Sequence, residues 1–254
     1  MSGIATERHG AVAEIVFDRP EKRNAITASM YAALAEALEA AEADEAVRVV
    51  LFHGNGGAFT AGNDLHDFLA QPEVGAERPV FRFLRALAGA RKPLVAAVQG
   101  PAVGIGTTML LHCDLVLAAE DARFALPFVN LGLVPEAASS LLLPRLAGHQ
   151  LAAELLFLGD PFDAAMAQRI GLVGRVVPAA ELLAAARGLA DRLAGKPPQA
   201  LRATKALLKS ASTSVAGRLD EEVAVFVQQL QSAELKEAVA AFFEKRLPDF
   251  SRGD

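Results

Sequence analysis

From Pro93 to Cys113 the chain contains no Asp, Glu, Lys or Arg. An uncharged run of that length approaches the ~20 residues that a membrane-spanning helix needs. This run also holds Pro93, Gln99, Gly100, Pro101, Gly104 and Gly106. Proline and glycine in those places interrupt a helix, so the run reads as a buried strand, a Gly/Pro turn and a small-residue helix. Burying it requires a sizeable core. At 254 residues, 52% hydrophobic and 22% charged, the chain has the balance of a folded protein, which excludes a largely disordered one.

Charge and cysteine narrow the classes further. The 25 Lys and Arg against 30 Asp and Glu leave a formal charge of −5, with a pI near 5.6. That balance argues against nucleic acid and against an anionic membrane as partners. It leaves room for a local basic site for a phosphorylated ligand. The single cysteine, Cys113, excludes an internal disulfide framework and a multi-cysteine zinc site. Met1 to Gly10 carries Glu7 and Arg8 and lacks the apolar run of a secretory signal. Ser251 to Asp254 form no readable targeting tripeptide. A reducing compartment, the cytoplasm, is the expected location.

Residues 11–17, 47–52, 93–98 and 115–119 are apolar and read as strands. Thr27 to Ala43 carries Leu34, Leu38 and Ala41 at helical spacing, with Glu36 and Glu39 on another face and Thr27 or Ser29 as cap. A helix starts near Asp64, and the Pro/Gly-punctuated residues 71–79 read as a loop of the kind that covers sites. Another helix runs to Gly89, and Gly104 to Leu111 reads as a helix of small residues. Strands separated by helices predict an α/β fold with a mostly parallel sheet and crossovers. After about residue 145 the pattern is helical over 146–158, 161–170, 180–193, 198–211, 216–231 and 234–246, and only 171–177 is strand-like. No fixed-period repeat is present.

Gly100-Pro101-Ala102-Val103-Gly104-Ile105-Gly106 follows a strand and opens a helix. Helix-start N–H groups lack intrahelical partners, so such a turn suits a phosphate or an oxyanion; small residues there also serve close packing. The order is neither the dinucleotide fingerprint nor a Walker A loop. Ala58 to Leu65 is a second strand-to-helix turn, centred on Gly62, with Asp64 placed as a helix cap. Two such turns facing one point would supply two N–H donors, which is an oxyanion hole. The five histidines, His9, His53, His66, His112 and His149, form no H-x-x-x-H pair and partner no serine elbow. Neither a metal ion nor a serine triad is therefore expected. Glu136 stands out, because no Lys or Arg lies between Phe124 and Pro144. Apolar neighbours raise a carboxylate's pKa, which suits proton transfer near neutrality. A helix-start glutamate facing the helix dipole is the other reading.

Several stretches carry a resemblance: Arg19 to Ala25, Ala58 to Leu65, Lys92 to Gly100, Cys113 to Val116, and Phe242 to Phe250. In this order they resemble the crotonase, or enoyl-CoA hydratase/isomerase, superfamily over nearly the whole chain. The resemblance implies a crotonase-like spiral of ββα units over residues 1–195, carrying an acyl-CoA site. It implies a helical C-terminal region over residues 196–254 that assembles a homotrimer or hexamer. By position, Asn63 and Ile105 supply the oxyanion-hole N–H groups. Lys22, Arg23 and Ala25 fall where the family holds the CoA nucleotide and pantetheine. Ala61, Gly62, Asp64, Leu65, Gly104, Thr108 and Phe128 fall along the thioester site. Phe242 and Lys245 fall where a C-terminal helix, often a neighbour's, meets the adenine end. No cofactor beyond the CoA moiety of the substrate is implied.

Departures from the pattern bear on the reaction. Typical hydratases of the family activate water with two glutamates, and Thr108 and Phe128 occupy those positions here. Ile105 replaces a usual glycine. Glu136, after Pro135, matches the catalytic glutamate of the branch that converts 3-enoyl-CoA to 2-enoyl-CoA in fatty-acyl-CoA metabolism. The resemblance thus implies isomerisation, with Glu136 as acid and base. Hydration or another crotonase-type reaction is the alternative, with Asp64 and His66 as nearby bases. A non-catalytic acyl-CoA-binding protein is the alternative outside enzymes.

Overall fold

Apolar strands with no polar face predict a sheet covered on both sides. The computed structural model describes residues 3–70, 78–210 and 215–250. Strands β1 (Ile4–His9) and β2 (Val12–Phe17) form an antiparallel hairpin. Helix α1 (Ala28–Ala43) follows, capped by the Thr27 side chain, which accepts from the Met30 N–H. Next come β3 (Val49–Gly54), α2 (Leu65–Ala70), α3 (Pro79–Gly89), β4 (Leu94–Val98), β5 (Pro101–Val103) and α4 (Ile105–Thr108). After β6 (Leu115–Ala119) and β7 (Arg123–Ala125) the chain forms α5 (Ser139–Ala147), α6 (His149–Leu158), β8 (Phe162–Asp163), α7 (Ala164–Arg169) and β9 (Arg175–Val177). Helices α8 (Leu182–Ala194), α9 (Pro198–Lys209), α10 (Val215–Leu230) and α11 (Ala233–Glu244) complete it.

The main sheet has the order β1-β2-β3-β4-β6-β9 and is parallel beyond the first hairpin. A second sheet has the order β5-β7-β8. Isolated bridges join Ile26 to Asn63 and Thr60 to Ala102. These bridges expose a repeated unit that has no sequence period. After β2, β3, β4 and β6 in turn, the chain leaves the main sheet, pairs briefly alongside it, and enters a helix. This is the spiral of ββα units that the resemblance implied. Each unit delivers a strand-to-helix turn to the same end of the sheet.

Alternation along the strands decides the layers. Val50, Phe52, Leu94, Ala96 and Val98 join the main core, under α1 and α3. Val49, Leu51, Val95 and Ala97 face the other way, onto Leu182, Ala186 and Ala190 of α8. Helix α9 is pinned at the far end, where the buried Lys205 Nζ donates to the Lys92 carbonyl and to Asp114 Oδ2, both at 2.7 Å. By contrast α10 and α11 leave Phe226, Phe242 and Phe243 exposed. Among the described residues no helix is long and apolar enough to cross a membrane, and the uncharged run divides into β4, β5 and α4, as its prolines and glycines required.

Several elements differ from the sequence expectation. Strand β1 is an edge strand whose outer residues are polar and exposed, so it lacks an apolar signature. Strands β5, β7 and β8 are too short to show a period. The helix expected over 146–158 is two helices, because Gly148 at φ +79° breaks it, and the first reaches back to Ser139. The expected helix over 161–170 begins with β8, and Asp163 then caps α7 by accepting from the Met166 N–H at 2.8 Å. Helix α4 gives way after Thr108 to a 3-10 turn over Met109–His112. Of the expected loop 71–79, residues 71–77 lie outside the described residues, and Pro79 opens α3.

Candidate active site

The turns after β2 and β3 are locked together. Asn24 is fully buried. Its Oδ1 accepts from the Arg19 N–H at 2.8 Å, while its Nδ2 donates to the Asn55 and Ala58 carbonyls at 3.0 and 2.8 Å. Thr60 Oγ1 donates to the Asn24 carbonyl, and the Ala61 N–H donates to the Arg23 carbonyl. Arg19 Nη1 bridges the Ala25 carbonyl and Asp64 Oδ2. Lys22, Arg23 and Ala25 are thereby held beside Ala61, Gly62 and Asp64. The Lys22 and Arg23 side chains point to solvent without an ion-pair partner among the described residues, where they suit phosphate groups.

The turn after β4 packs against this pair. Gly62 has φ +84°, and a Cβ there would meet the Val103 carbonyl oxygen at 2.7 Å. Only glycine permits both the backbone angle and the approach. The peptide between Gly62 and Asn63 is oriented by the Ile26 N–H, which donates to the Gly62 carbonyl at 2.8 Å. In a trans peptide the N–H points opposite to the C=O, so the Asn63 N–H points away from Ile26. Ile105 is the first residue of α4, and the Gly104 carbonyl behind it accepts from Thr107 and Thr108 N–H groups. Its N–H therefore points out of the helix start. Among the described residues neither the Asn63 nor the Ile105 N–H has an acceptor. The Ile105 side chain is buried in the main core.

The carboxylate of Glu136 lies at the third turn. Its Oε1 accepts a 2.8 Å hydrogen bond from Thr108 Oγ1 on α4, and no cation pairs with it among the described residues. Burial pushes its pKa above the ordinary carboxylate value of 4.5, opposed in part by the Thr108 bond. Glu136 does not cap α5 with its carboxylate. Instead its carbonyl accepts from the Ser139 N–H and Oγ. Ala137 and Ala138 are both left-handed at φ +54°, a conformation that disfavours alanine by ~1–2 kcal/mol each. His112 Nε2 donates to the Ala137 carbonyl at 2.8 Å and holds this turn.

The remaining expected residues lie at several depths. Phe128 is buried in the main core. Leu65 is exposed at the start of α2. Phe242 and Lys245 lie at the end of α11, which packs on α10 and, through Glu234, on the start of α9, while the tail after it reaches the Arg48 end of β3. One chain therefore does not bring them to Lys22. Asp64 is bound to Arg19, whose hydrogen bond holds its carboxyl below the usual range, so it is a poor base. Tyr31 was not anticipated. Its phenol, on the buried face of α1, donates to Asn63 Oδ1. A helix-period apolar face gave it the signature of an ordinary core residue.

The enoyl-CoA hydratase/isomerase family model matches residues 7–253. The 2,3-dehydroadipyl-CoA hydratase of Escherichia coli K12 is 36% identical, over 98% of this chain and 99% of its own. The 1,2-epoxyphenylacetyl-CoA isomerase of the same organism is also 36% identical, over 99% of both chains. A solved enoyl-CoA hydratase/carnithine racemase homologue from Magnetospirillum magneticum AMB-1 is 49% identical with a TM-score of 0.95, covering 98% of this chain and 99% of that one. Equal similarity to a hydratase and an isomerase leaves the choice of reaction to the residues of the site. The paired strand-to-helix turns, the ββα spiral and these relatives agree, and the chain is an enzyme of the enoyl-CoA hydratase/isomerase family, in the crotonase superfamily.

Proposed function

We propose that the protein is an enoyl-CoA isomerase that moves a 3-enoyl-CoA double bond to position 2. One observation carries this reading: Glu136 is a half-buried carboxylate with a raised pKa and no cation partner among the described residues, held by Thr108. The two positions that resemble hydratase glutamates are threonine and phenylalanine. Glu136 removes a proton from carbon 2, and the dienolate oxygen accepts from the Asn63 and Ile105 N–H groups. The same carboxyl, now an acid, returns the proton at carbon 4. No water is added, so one carboxylate suffices. Each N–H donor is worth on the order of 3 kcal/mol of barrier, and the base roughly 10²–10⁴-fold. Lys22 and Arg23 bind the phosphates of the CoA moiety. The exposed apolar residues of α10 and α11 are read as the contact of a homotrimer or hexamer. The reading assigns the enzyme to fatty-acyl-CoA metabolism in the cytoplasm.

The hydratase reading draws on the 36% identity to the dehydroadipyl-CoA hydratase. The test is isomerisation of trans-3-hexenoyl-CoA beside hydration of crotonyl-CoA, on the wild type and Glu136→Gln. Isomerisation that collapses in the variant, with little hydration, is expected. Hydration surviving in Glu136→Gln would mean a second base. Silence in both assays with CoA still bound would favour the non-catalytic reading.

A further inference from the structure

A free backbone donor is useful only while nothing inside the protein satisfies it. Asn63 carries its own threat in this respect. Asparagine side chains readily turn back to bond nearby backbone N–H groups, and the Asn63 N–H, which has no acceptor among the described residues, lies next to its own Oδ1. That oxygen is instead occupied by the phenol of Tyr31. Tyr31 is 3% exposed and packs against Phe83 at a ring-centroid distance of 6.1 Å, so burial and packing hold its ring in place. A second tether, from the Ala28 N–H to Asp67 Oδ2 at 2.7 Å, fixes the start of α1 to α2. The phenol thus arrives from a helix whose position relative to Asn63 is set independently.

We infer that Tyr31 is a positioning residue of the oxyanion hole, which captures Asn63 Oδ1 and so keeps the Asn63 N–H available to the substrate thioester oxygen. The inference rests on the isomerase reading above. Burial, and after it the charge of Glu136, holds the phenol well above its ordinary pKa, so it stays a donor throughout turnover. Tyr31 acts through Asn63 and transfers no proton.

The experiment uses Tyr31→Phe, which keeps the ring. The probe is acetoacetyl-CoA, whose enolate has a near-ultraviolet band, so oxyanion stabilisation is read without turnover. Tyr31→Phe should weaken that band and lower kcat about tenfold, with KM for 3-hexenoyl-CoA and the affinity for CoA within about twofold. In an Asn63→Ala background the same substitution should change neither reading further, because the competing acceptor is gone. A wild-type band with an unchanged band and kcat in Tyr31→Phe overturns the inference alone. An undiminished tenfold effect in the Asn63→Ala background also overturns it. Neither band nor turnover in the wild type overturns the isomerase reading and this inference with it. The chain has one tyrosine and no tryptophan, so 3-fluorotyrosine labels position 31 alone without a mutation. Its fluorine resonance should shift with acetoacetyl-CoA and not with CoA; an unmoved resonance overturns the inference.

Discussion

Replacing Thr108 by valine exchanges the hydroxyl for a slightly larger methyl group at a fully buried position and keeps the branched shape. The lost group is the only hydrogen-bond donor to the Glu136 carboxylate among the described residues, at 2.8 Å. A bond to a charged acceptor contributes ~1.5–3 kcal/mol and a neutral one ~0.5–1.5 kcal/mol. Once Glu136 is protonated it can itself donate to Thr108, so only the charge-assisted difference, ~1–1.5 kcal/mol, is lost. At 1.36 kcal/mol per unit this raises the Glu136 pKa by about one unit, on top of the rise that burial already causes.

In the proposed reaction Glu136 must be ionised to act, so the acid limb of kcat/KM for 3-hexenoyl-CoA is expected above pH 4.5 in the wild type and about one further unit up in Thr108→Val. On the alkaline plateau the variant keeps its base and most of its rate. An acid limb that stays in place, or moves down, would refute Glu136 as the titrating group. A fall in the plateau with the limb unmoved would mean that Thr108 acts on the substrate, the role its position suggested, and not on Glu136.

Three further outcomes follow from the geometry. Arg187 donates to both oxygens of the fully buried Glu14 at 2.8 Å, and His53 Nε2 meets the same carboxylate at 3.0 Å; Arg187 is 42% exposed, so Arg187→Gln should destabilise by roughly 2–3 kcal/mol, below the value for a wholly buried pair, in urea unfolding at pH 7. Burial alone would raise Glu14, but the Arg187 and His53 bonds outweigh it and hold it below 4.5; the pair's contribution is therefore full above pH 4.5 and disappears as pH falls through the lower folded value, so the variant and wild type should converge in acid. Lys22→Ala with Arg23→Ala should raise KM for the acyl-CoA about tenfold and flatten its salt dependence, with kcat unchanged; an unmoved KM would displace the phosphates from this loop. Phe226→Asp with Phe243→Asp, at 65% and 77% exposure in the single chain, should convert the proposed oligomer to monomer in light scattering; a wild-type oligomer of unchanged mass in the variant would put the assembly contact elsewhere.

The parallel sheet was legible because each central strand is apolar on both faces, and Val49 to Phe52 divides evenly between the two cores. The hairpin partner β1 was not, because an edge strand paired on one side can be polar. The short strands β5 and β7 owe their conformation to each other and not to propensity: Ala102 pairs with Phe124 across twenty-two positions. The turn at Gly62 was readable from its glycine, while the reason for that glycine, the Val103 carbonyl against it, is a contact between distant segments. In the same way, Glu136 was visible as a carboxylate without neighbouring cations, but its bond to Thr108 spans 28 residues.

Local preference and structure part company most sharply at Glu136 to Ala138. Two alanines that by propensity extend a helix are held left-handed, beside a half-buried carboxylate with no cation partner among the described residues. Glycines would relieve the backbone conflict, but they would also free the turn. The conflict is sustained from outside by His112 on the Ala137 carbonyl and by Ser139 on the Glu136 carbonyl, groups that touch the turn and not the carboxylate. Burial lowers the pKa of His112, so the imidazole stays neutral and donates a single Nε2–H. A turn so constrained keeps the Glu136 carboxyl aimed at Thr108 in both its charged and its protonated form. In the isomerisation proposed above, one group takes a proton from one carbon and returns it to another, and that reaction would use such constancy of aim, which the disfavoured alanines maintain.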